Sequence, residues 1–484
     1  MNGMENQPKL TVSGYRGIWG ESLTHEIVEN YTKAFVQFVK ENINDNPTIL
    51  IGRDGRESGP EIRETIIKTF NDLGVDFIDG DILPTPTVLF AVRKHNYSGA
   101  IIITASHNPR EYNGLKFVTN KALFTSEKEV EIIKKNYEEI KFERELVVPG
   151  NIAQAVEPST SEKFSRILSR ADGNNESNEN FNKKIPDLPK EHADLIIQNI
   201  NTKTIRDRKF KVAVDMINAS ACVLDPYLFE QLGVELVPLN NIPNGIFAHK
   251  PEPLRENLGD ITNLVKEKKF NLGFAHDPDA DRLIVINEDG VAISEEYTLA
   301  LGTEAILSKN PGNKVVINMS TSQMNKDIAE KYNSTCIRTK VGEVNVVAGI
   351  IENNAIIGGE GGGGIIYPTI NMARDSFVSL ALILELLAER NQTVSECIAT
   401  LPKYEMKKDK VPVVGSLEEM YQKMKNHFNK CEVNELDGLR LDFRDSSWIH
   451  LRPSNTEPIV RLYGEATTKE RIESLFEETK KVIP

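Results

Sequence analysis

Short apolar runs alternate with longer amphipathic stretches over most of the chain. Thr48–Gly52 (TILIG), Ala100–Thr104 (AIIIT), Lys211–Asp215 (KVAVD), Leu283–Ile286 (LIVI) and Lys314–Met319 (KVVINM) are brief and rich in β-branched residues. Such runs read as strands buried on both faces. Helical spacing follows at Pro60–Leu73, around Ala221–Gly233 and near Gln323–Tyr332. Strands alternating with helices predict parallel sheets covered on both sides. The strand-to-helix openings after residues 52, 215 and 319 look alike, each an apolar strand followed by a polar turn of small residues. They predict one α/β unit used three times. Toward the C-terminus the pattern changes: Leu439–Phe443, Trp448–Leu451 and Ile459–Tyr463 alternate as half-buried strands, and Thr468–Val482 reads as a closing helix. That predicts a small α+β domain. Between Glu157 and Asp187 the composition turns polar, most of all in ADGNNESNENFNKK (Ala171–Lys184), which reads as a flexible insertion or linker. The expected division is 1–156, a linker 157–190, then 191–296, 297–402 and 403–484.

Composition narrows the function classes. The 484 residues suit three or four domains at about 100–200 residues each. With 58 basic against 71 acidic residues and a net charge of -13, the chain repels polyanions on average, so no nucleic-acid partner is expected. A small anionic substrate needs only a local basic cluster. No apolar run approaches the ~20 residues of a membrane span, so no membrane partner is expected. The opening MNGMENQPKL has no basic stretch followed by an apolar one, and a cytoplasmic protein is expected. Cys222, Cys336, Cys397 and Cys431 are widely spaced and form no CxxC pair, which suggests neither a zinc site nor a disulfide framework.

Five segments carry chemistry. Thr104-Ala-Ser-His-Asn-Pro109, continuing to Asn113-Gly-Leu-Lys116, follows the C-terminal end of a strand, the edge of an open α/β sheet where ligands bind. Ser106 is a candidate nucleophile once activated by a base, a metal or a group it already carries; a turn with satisfied backbone groups is the plain alternative. Asp277-Pro-Asp-Ala-Asp-Arg282 places three carboxylates at alternate positions before an apolar strand, an oxygen site suited to Mg²⁺. An EF-hand is excluded because Arg282 stands where its turn glycine belongs. Arg452-Pro-Ser-Asn-Thr-Glu-Pro458, with Arg461 beyond it, offers a guanidinium, hydroxyls and turn N–H groups to an anion. Gly358-Gly-Glu-Gly-Gly-Gly-Gly364 sets Glu360 in a loop without the Lys-Ser/Thr pair of a phosphate loop. Ser13-Gly-Tyr-Arg16-Gly17 presents Arg16 between glycines.

Taken together and in this order, these segments resemble the α-D-phosphohexomutase superfamily, over nearly the whole chain apart from 157–187. The resemblance implies a heart-shaped four-domain protein, three related α/β sandwiches and a C-terminal α+β domain. It implies interconversion of hexose 6-phosphate and hexose 1-phosphate through a phosphorylated Ser106, with hexose 1,6-bisphosphate as intermediate and activator. By the same resemblance Asp277, Asp279, Asp281 and a phospho-Ser106 oxygen bind Mg²⁺, and Arg16, Lys116 and Arg282 surround the moving phosphoryl group. Glu360 and the loop at Gly362 face the sugar. Arg452, Ser454, Asn455, Thr456 and Arg461 hold the other phosphate. A sugar phosphate is the expected partner, and the chain a monomer or homodimer. Many members carry serine and histidine where this chain has Gly362 and Gly364, and some carry histidine where Glu343 follows Val341-Gly342, so the general base stays unassigned. The glycine loop and the Val-Gly-Glu-Val-Asn run look most like phosphoglucosamine mutases of one bacterial branch and archaeal-type hexose mutases; mannose and glucose phosphates remain alternatives, and a serine-based sugar phosphatase or a non-catalytic sugar-phosphate binder are the rivals. His107 reads as orienting the Ser106 loop. His249, in a PNGIFAH segment, reads as structural, bridging the second and third units.

Overall fold

The computed structural model describes residues 9–147, 186–413, 415–453 and 459–483. The first unit is a five-stranded sheet of β1 (Tyr15–Ile18), β2 (Thr48–Arg53), β3 (Asp76–Ile82), β4 (Gly99–Ile103) and β5 (Tyr112–Thr119), in the order β1-β5-β4-β2-β3. β2 runs parallel to β3 and β4, while β5 is antiparallel to both β4 and β1. Helices His25–Asn42, Gly59–Asp72, Thr85–His95 and Glu127–Val147 belong to this unit. β4 (GAIII) is buried at every position, as a central strand between covered faces must be.

The second unit repeats the arrangement with β6 (Lys211–Asp215), β7 (Glu235–Leu239), β8 (Leu272–His276) and β9 (Leu283–Ile286), ordered β7-β6-β8-β9. The third does so with β10 (Lys314–Asn318), β11 (Thr335–Thr339), β12 (Ile357–Glu360) and β13 (Gly364–Ile366), ordered β11-β10-β12-β13. In both, the last strand returns antiparallel, as β5 does on β4. The repeat read from the strand-to-helix openings is therefore a shared topology, three parallel strands closed by one antiparallel strand. The fourth unit is an antiparallel sheet of β14 (Glu405–Pro412), β15 (Glu432–Asn434), β16 (Leu439–Asp442), β17 (Trp448–Pro453) and β18 (Ile459–Ala466), ordered β14-β18-β17-β16-β15, with helices Leu417–His427 and Lys469–Val482. Capping fixes several helix starts: Ser416 with Glu419 forms a reciprocal capping box, and Thr468 caps the closing helix.

One hydrophobic core runs through the second and third units. Helices Glu296–Lys309 and Ser376–Arg390 are apolar on nearly all faces and buried throughout most of their length. Among the described residues no helix is long and apolar enough to cross a membrane.

Three sequence expectations change. The helix placed around Ala221–Gly233 is a 3-10 turn, Ser220–Val223, followed by an α-helix Asp225–Leu232. Pro226 lacks an N–H and its ring clashes with the carbonyl four residues earlier, so a helix begun at 221 cannot run through it. Of the linker expected over 157–190, residues 157–185 lie outside the described residues; from Asp187, which caps Lys190 N, the chain enters helix Leu188–Gln198. The PNGIFAH segment meets the first unit rather than the third. Phe247 lies under the Arg56 guanidinium at 5.0 Å, and a side chain at Gly245 would strike Gly55 O at 2.2 Å. Gly245 also adopts φ +72°, a left-handed conformation, so glycine is required there twice over. His249 stays within its own unit, bound to Asp215 Oδ2 at 3.2 Å.

The third and fourth units meet through polar contacts. Gln323 N donates to Glu465 Oε2 at 2.7 Å, Val341 N to Asp437 Oδ2 at 2.8 Å, and Arg440 Nη1 to the Met319 carbonyl. Fully buried His450 joins Ser320 Oγ at Nδ1 (2.9 Å) and the Asp437 carbonyl at Nε2. A neutral ring protonated on Nε2 satisfies both. Burial, reinforced by Arg440, pushes its pKa down to about 4 from 6.5. In the window between those values the unfolded chain binds the proton and the folded chain does not, so stability falls as pH drops through it. The expected loss is on the order of 3 kcal/mol. Thermal melting from pH 7 to 4.5 should show wild type losing stability more steeply than His450→Gln; parallel profiles would refute the neutral-ring assignment.

Candidate active site

The Ser106 loop begins where β4 ends. Ser106 is buried and sits at φ 52°, a left-handed conformation that costs a non-glycine residue on the order of 1 kcal/mol. Its surroundings impose that conformation. Thr104 Oγ1 accepts Ser106 N at 2.8 Å and donates to Asp54 Oδ2 at 2.6 Å. Arg56, fully buried, donates to the carbonyls of Ser106 (2.6 Å), Asn108 (2.8 Å), Pro109 (2.7 Å) and Tyr112 (2.9 Å), and its Nε meets Asp54 at 3.0 Å. One guanidinium thus collects four carbonyls of the loop. Sequence reading missed Arg56, although Gly52-Arg-Asp-Gly-Arg56 marks the C-terminal end of β2, the same sheet edge that drew notice at Ser106.

Charged groups surround this loop. Arg16, on β1, donates Nη1 to Asn108 Oδ1 at 2.8 Å. Burial lowers its pKa, with Asp279 opposing and Arg282 reinforcing the shift. The Ser106 hydroxyl meets His107 Nδ1 at 3.2 Å. Burial together with Arg282 and Arg16 pushes His107 down to about 2, so its ring is neutral at physiological pH.

The loop between β8 and β9 supplies the carboxylates. Asp277, Asp279 and Asp281 are fully buried, and carboxylate oxygens of the three lie within 4.8 Å of one another. Each has one oxygen engaged. Asp277 Oδ1 accepts the N–H groups of Asp281 and Arg282, both at 3.1 Å. Asp279 Oδ2 accepts Lys116 Nζ at 2.6 Å and Thr85 Oγ1 at 2.9 Å, which ties the first unit to the second. Asp281 Oδ2 accepts Arg374 Nη2. Each also has one oxygen, Asp277 Oδ2, Asp279 Oδ1 and Asp281 Oδ1, with no hydrogen-bond partner among the described residues. Buried, unsatisfied carboxylate oxygens brought together are costly unless a cation joins them. Burial and the charges of Asp281 and Asp279 accordingly drive Asp277 well above the usual carboxylate range. Asp279 is held well below it: burial opposes, but Lys116 and the Thr85 hydroxyl prevail. Hard oxygen donors in this arrangement fit a divalent cation such as Mg²⁺. Arg282 approaches Asp277 Oδ2 at 3.9 Å and Asp281 Oδ1 at 3.7 Å. Behind the loop, Ser376 Oγ donates to the Ala280 carbonyl at 2.6 Å, anchoring it on the third unit.

Glu360 ends β12. Its Oε1 accepts Asn318 Nδ2 and Gly342 N, both at 2.9 Å, and Oε2 faces Arg374 Nη1 at 3.3 Å. Gly362 faces open space, with nothing within 4 Å of where a Cβ would stand. Glu343 is taken up by Arg374, whose backbone N and Nε donate to its two oxygens at 2.9 and 3.1 Å. Arg374 itself had no sequence signal: it stands alone beside Asp375, the N-cap of an apolar helix.

In the fourth unit, Arg452 on β17 stands directly opposite Arg461 on β18. Like charges facing across strands are unfavourable unless an anion lies between them. Arg452 Nε is held by Asp437 Oδ2 at 3.0 Å, and Arg461 Nε has no hydrogen-bond partner among the described residues. Ser454, Asn455 and Thr456 lie outside the described residues.

Models of the phosphoglucomutase/phosphomannomutase domains match in order along the chain: α/β/α domain I over residues 8–144, domain II over 190–290, domain III over 294–404 and the C-terminal domain over 406–482. A phosphoglucomutase/phosphomannomutase of Thermococcus kodakarensis is 34% identical over 467 residues, 96% of either chain. A phosphoglucosamine/phosphogalactosamine mutase of Sulfurisphaera tokodaii is 32% identical over 478 residues, 97% of this chain and 98% of the relative. Among solved structures, a phosphoglucomutase/phosphomannomutase family protein from Burkholderia thailandensis superposes with a TM-score of 0.80 at 25% identity, over 99% of this chain and 97% of that one. With all four domains matched in sequence order and relatives of this identity spanning nearly its full length, the chain belongs to the α-D-phosphohexomutase superfamily, a family of isomerases.

Proposed function

We propose that the chain interconverts hexose 6-phosphate and hexose 1-phosphate by passing a phosphoryl group through Ser106, with glucosamine phosphate as the leading substrate. The observation that carries this reading is the pairing of two anion-seeking regions: the Ser106 loop beside three carboxylates, each with one oxygen lacking a hydrogen-bond partner among the described residues, and the opposed Arg452–Arg461 pair in another unit. Phosphoryl transfer needs alignment and neutralised oxygens more than covalent machinery. Asp277, Asp279 and Asp281, with a phosphate oxygen on Ser106, would hold Mg²⁺, which when bound neutralises charge on the phosphoryl group. Arg16, Lys116 and Arg282 add positive charge around the same oxygens. Phospho-Ser106 gives its phosphoryl group to the free hydroxyl of the sugar monophosphate, and the bisphosphate formed turns around. The other phosphoryl group then returns to Ser106. Arg452, Arg461 and the 454–456 loop hold the phosphate that is not reacting, which keeps the sugar from leaving and favours transfer over hydrolysis. Glu360, already fixed by Asn318 and Gly342 N, retains acceptor capacity for sugar hydroxyls.

The relative from Sulfurisphaera tokodaii supports an amino-sugar substrate, and the one from Thermococcus kodakarensis supports glucose and mannose phosphates. The open space at Gly362 supports tolerance of more than one hexose. The test is a panel of glucosamine 6-phosphate, mannose 1-phosphate and glucose 1-phosphate with Mg²⁺ and a trace of the matching bisphosphate. Isomer formation should exceed phosphate release, fail on chelation with EDTA and return with Mg²⁺. Free phosphate as the main product would favour the phosphatase reading instead.

A further inference from the structure

Arg374 fills the space that a side chain at position 364 would need. A Cβ built on Gly364 would lie 2.4 Å from Arg374 Cδ, 2.8 Å from Cγ and 3.0 Å from Cβ. Beyond that stem the guanidinium meets carboxylates from three segments: Nη2 with Asp281 Oδ2, Nε with Glu343 Oε2 at 3.1 Å, and Nη1 with Glu360 Oε2 at 3.3 Å. All three nitrogens of the fork are therefore committed, in a setting where the Arg374 side chain is only 11% exposed. The two loops it joins also touch through their backbones, since Leu283 N donates to the Gly363 carbonyl at 2.9 Å.

The loop from Gly358 to Gly364 holds six glycines and one acid. A run of glycines has little conformational preference of its own. Its orientation comes from contacts made to it: the pairing with β10 and β13, Thr321 Oγ1 on Gly361 N, Leu283 N on the Gly363 carbonyl, and the groups that grip Glu360. Asp281 offers one oxygen to Arg374; the other, Oδ1, has no hydrogen-bond partner among the described residues and faces Arg282 Nε at 3.7 Å. A cation held at the aspartates would restrain the Asp281 carboxylate, and through it the planar fork and the Glu360 oxygen that faces Nη1, adding to the hold of Asn318 and Gly342 N on the other oxygen.

We propose that Arg374 is a positioning residue that couples the Asp277–Asp281 loop to the Glu360 loop, so that cation binding at the carboxylates orders the sugar-facing loop, and that position 364 is glycine to admit it. This coupling rests on reading the three aspartates as the cation site. A lysine cannot replace the arginine, because a point charge on a flexible stem cannot hold three carboxylates in a fixed plane.

Hydrogen exchange with and without Mg²⁺ tests this on the full chain, with peptides covering 277–286 and 357–366 as the readout. In the wild type Mg²⁺ should slow exchange in both segments. In Arg374→Lys it should still slow 277–286 but leave 357–366 unchanged. The same variant should lose at least tenfold in kcat and show a raised KM for hexose phosphate, while its half-saturating Mg²⁺ concentration moves less than threefold. Gly364→Ala pushes a methyl group into the Arg374 stem without altering any charge, and should weaken the same coupling; it carries the test should Arg374→Lys fail to fold. Protection of 277–286 without protection of 357–366 in the wild type would overturn the coupling, as would full coupling in both variants. If Mg²⁺ protects neither segment in the wild type, the cation site itself is misread and the coupling falls with it.

Discussion

Ser106→Ala is expected to fold normally and to lose at least about four orders of magnitude in mutase turnover. The two halves of that expectation have separate grounds. The loop is held through the Ser106 backbone: its carbonyl accepts Arg56 and its N–H donates to Thr104. Among the described residues the hydroxyl makes one hydrogen bond, with His107 Nδ1 at 3.2 Å. Alanine keeps the backbone bonds and the left-handed conformation at similar cost, so the melting temperature should stay within a few degrees. Turnover has no such reserve. On the proposed route the Ser106 hydroxyl is the atom that carries the phosphoryl group between the two ends of the sugar, and without it the cation and arginine groups that remain can only bind substrate. Circular dichroism melting beside a coupled mutase assay separates the outcomes. A well-folded variant with wild-type turnover would remove Ser106 from the mechanism.

Lys116→Met should damage both stability and catalysis, and Mg²⁺ should repair part of the first. Lys116 and Asp279 form a buried pair at 2.6 Å with side chains 6% and 0% exposed. Removing one partner of a buried pair leaves the other uncompensated, at a cost of about 3–5 kcal/mol. Here the cost is raised further by Asp277 and Asp281 alongside, since the ammonium is one of the groups that hold Asp279 ionised. A dication at the carboxylates supplies replacement charge, so the fall in melting temperature should be largest after EDTA treatment and smaller with Mg²⁺ present. Turnover should fall at least ~100-fold in either condition, because on the proposed reading Lys116 also adds positive charge beside the phosphoryl oxygens, which a cation at the aspartates does not replace. Scanning fluorimetry with and without Mg²⁺ measures the first effect. An unchanged melting temperature in EDTA would show that the pair does not carry the stability assigned to it.

The central strands β2, β4, β6 and β10 and the repeated unit were legible because burial on both faces leaves an apolar run, as in β4 and β6; central β8 and β12 were not read. Nor were several edges. β3 (DFIDGDI) and β14 (EMKKDKVP) are edge strands with mostly polar, partly exposed positions, and β1 is four residues long. An edge strand is held by backbone pairing with one neighbour, which leaves little trace in side-chain pattern. The site divides along a similar line. The residues proposed to face substrate come in short local motifs, so Ser106, the aspartates and Glu360 could be named from the chain alone. Residues that hold those motifs act across long separations: Arg56 lies 50 residues before Ser106, and Arg374 lies 93 residues after Asp281. Their partners are backbone carbonyls and carboxylates that only folding brings near, so no spacing rule points to them. His249 shows the converse error, a motif read for an inter-unit role whose histidine pairs within its own unit.

The central claim is that one phosphoryl group travels through Ser106 between two positions of a hexose. Its most direct test is transfer of label. The protein is incubated with hexose 1,6-bisphosphate carrying radioactive phosphate, freed of small molecules, digested and mapped, and a second portion is chased with unlabelled hexose monophosphate. The account predicts label on the peptide that contains Ser106, and its recovery after the chase in hexose phosphate with little inorganic phosphate. Label absent from Ser106, or released by the chase as inorganic phosphate alone, would contradict it.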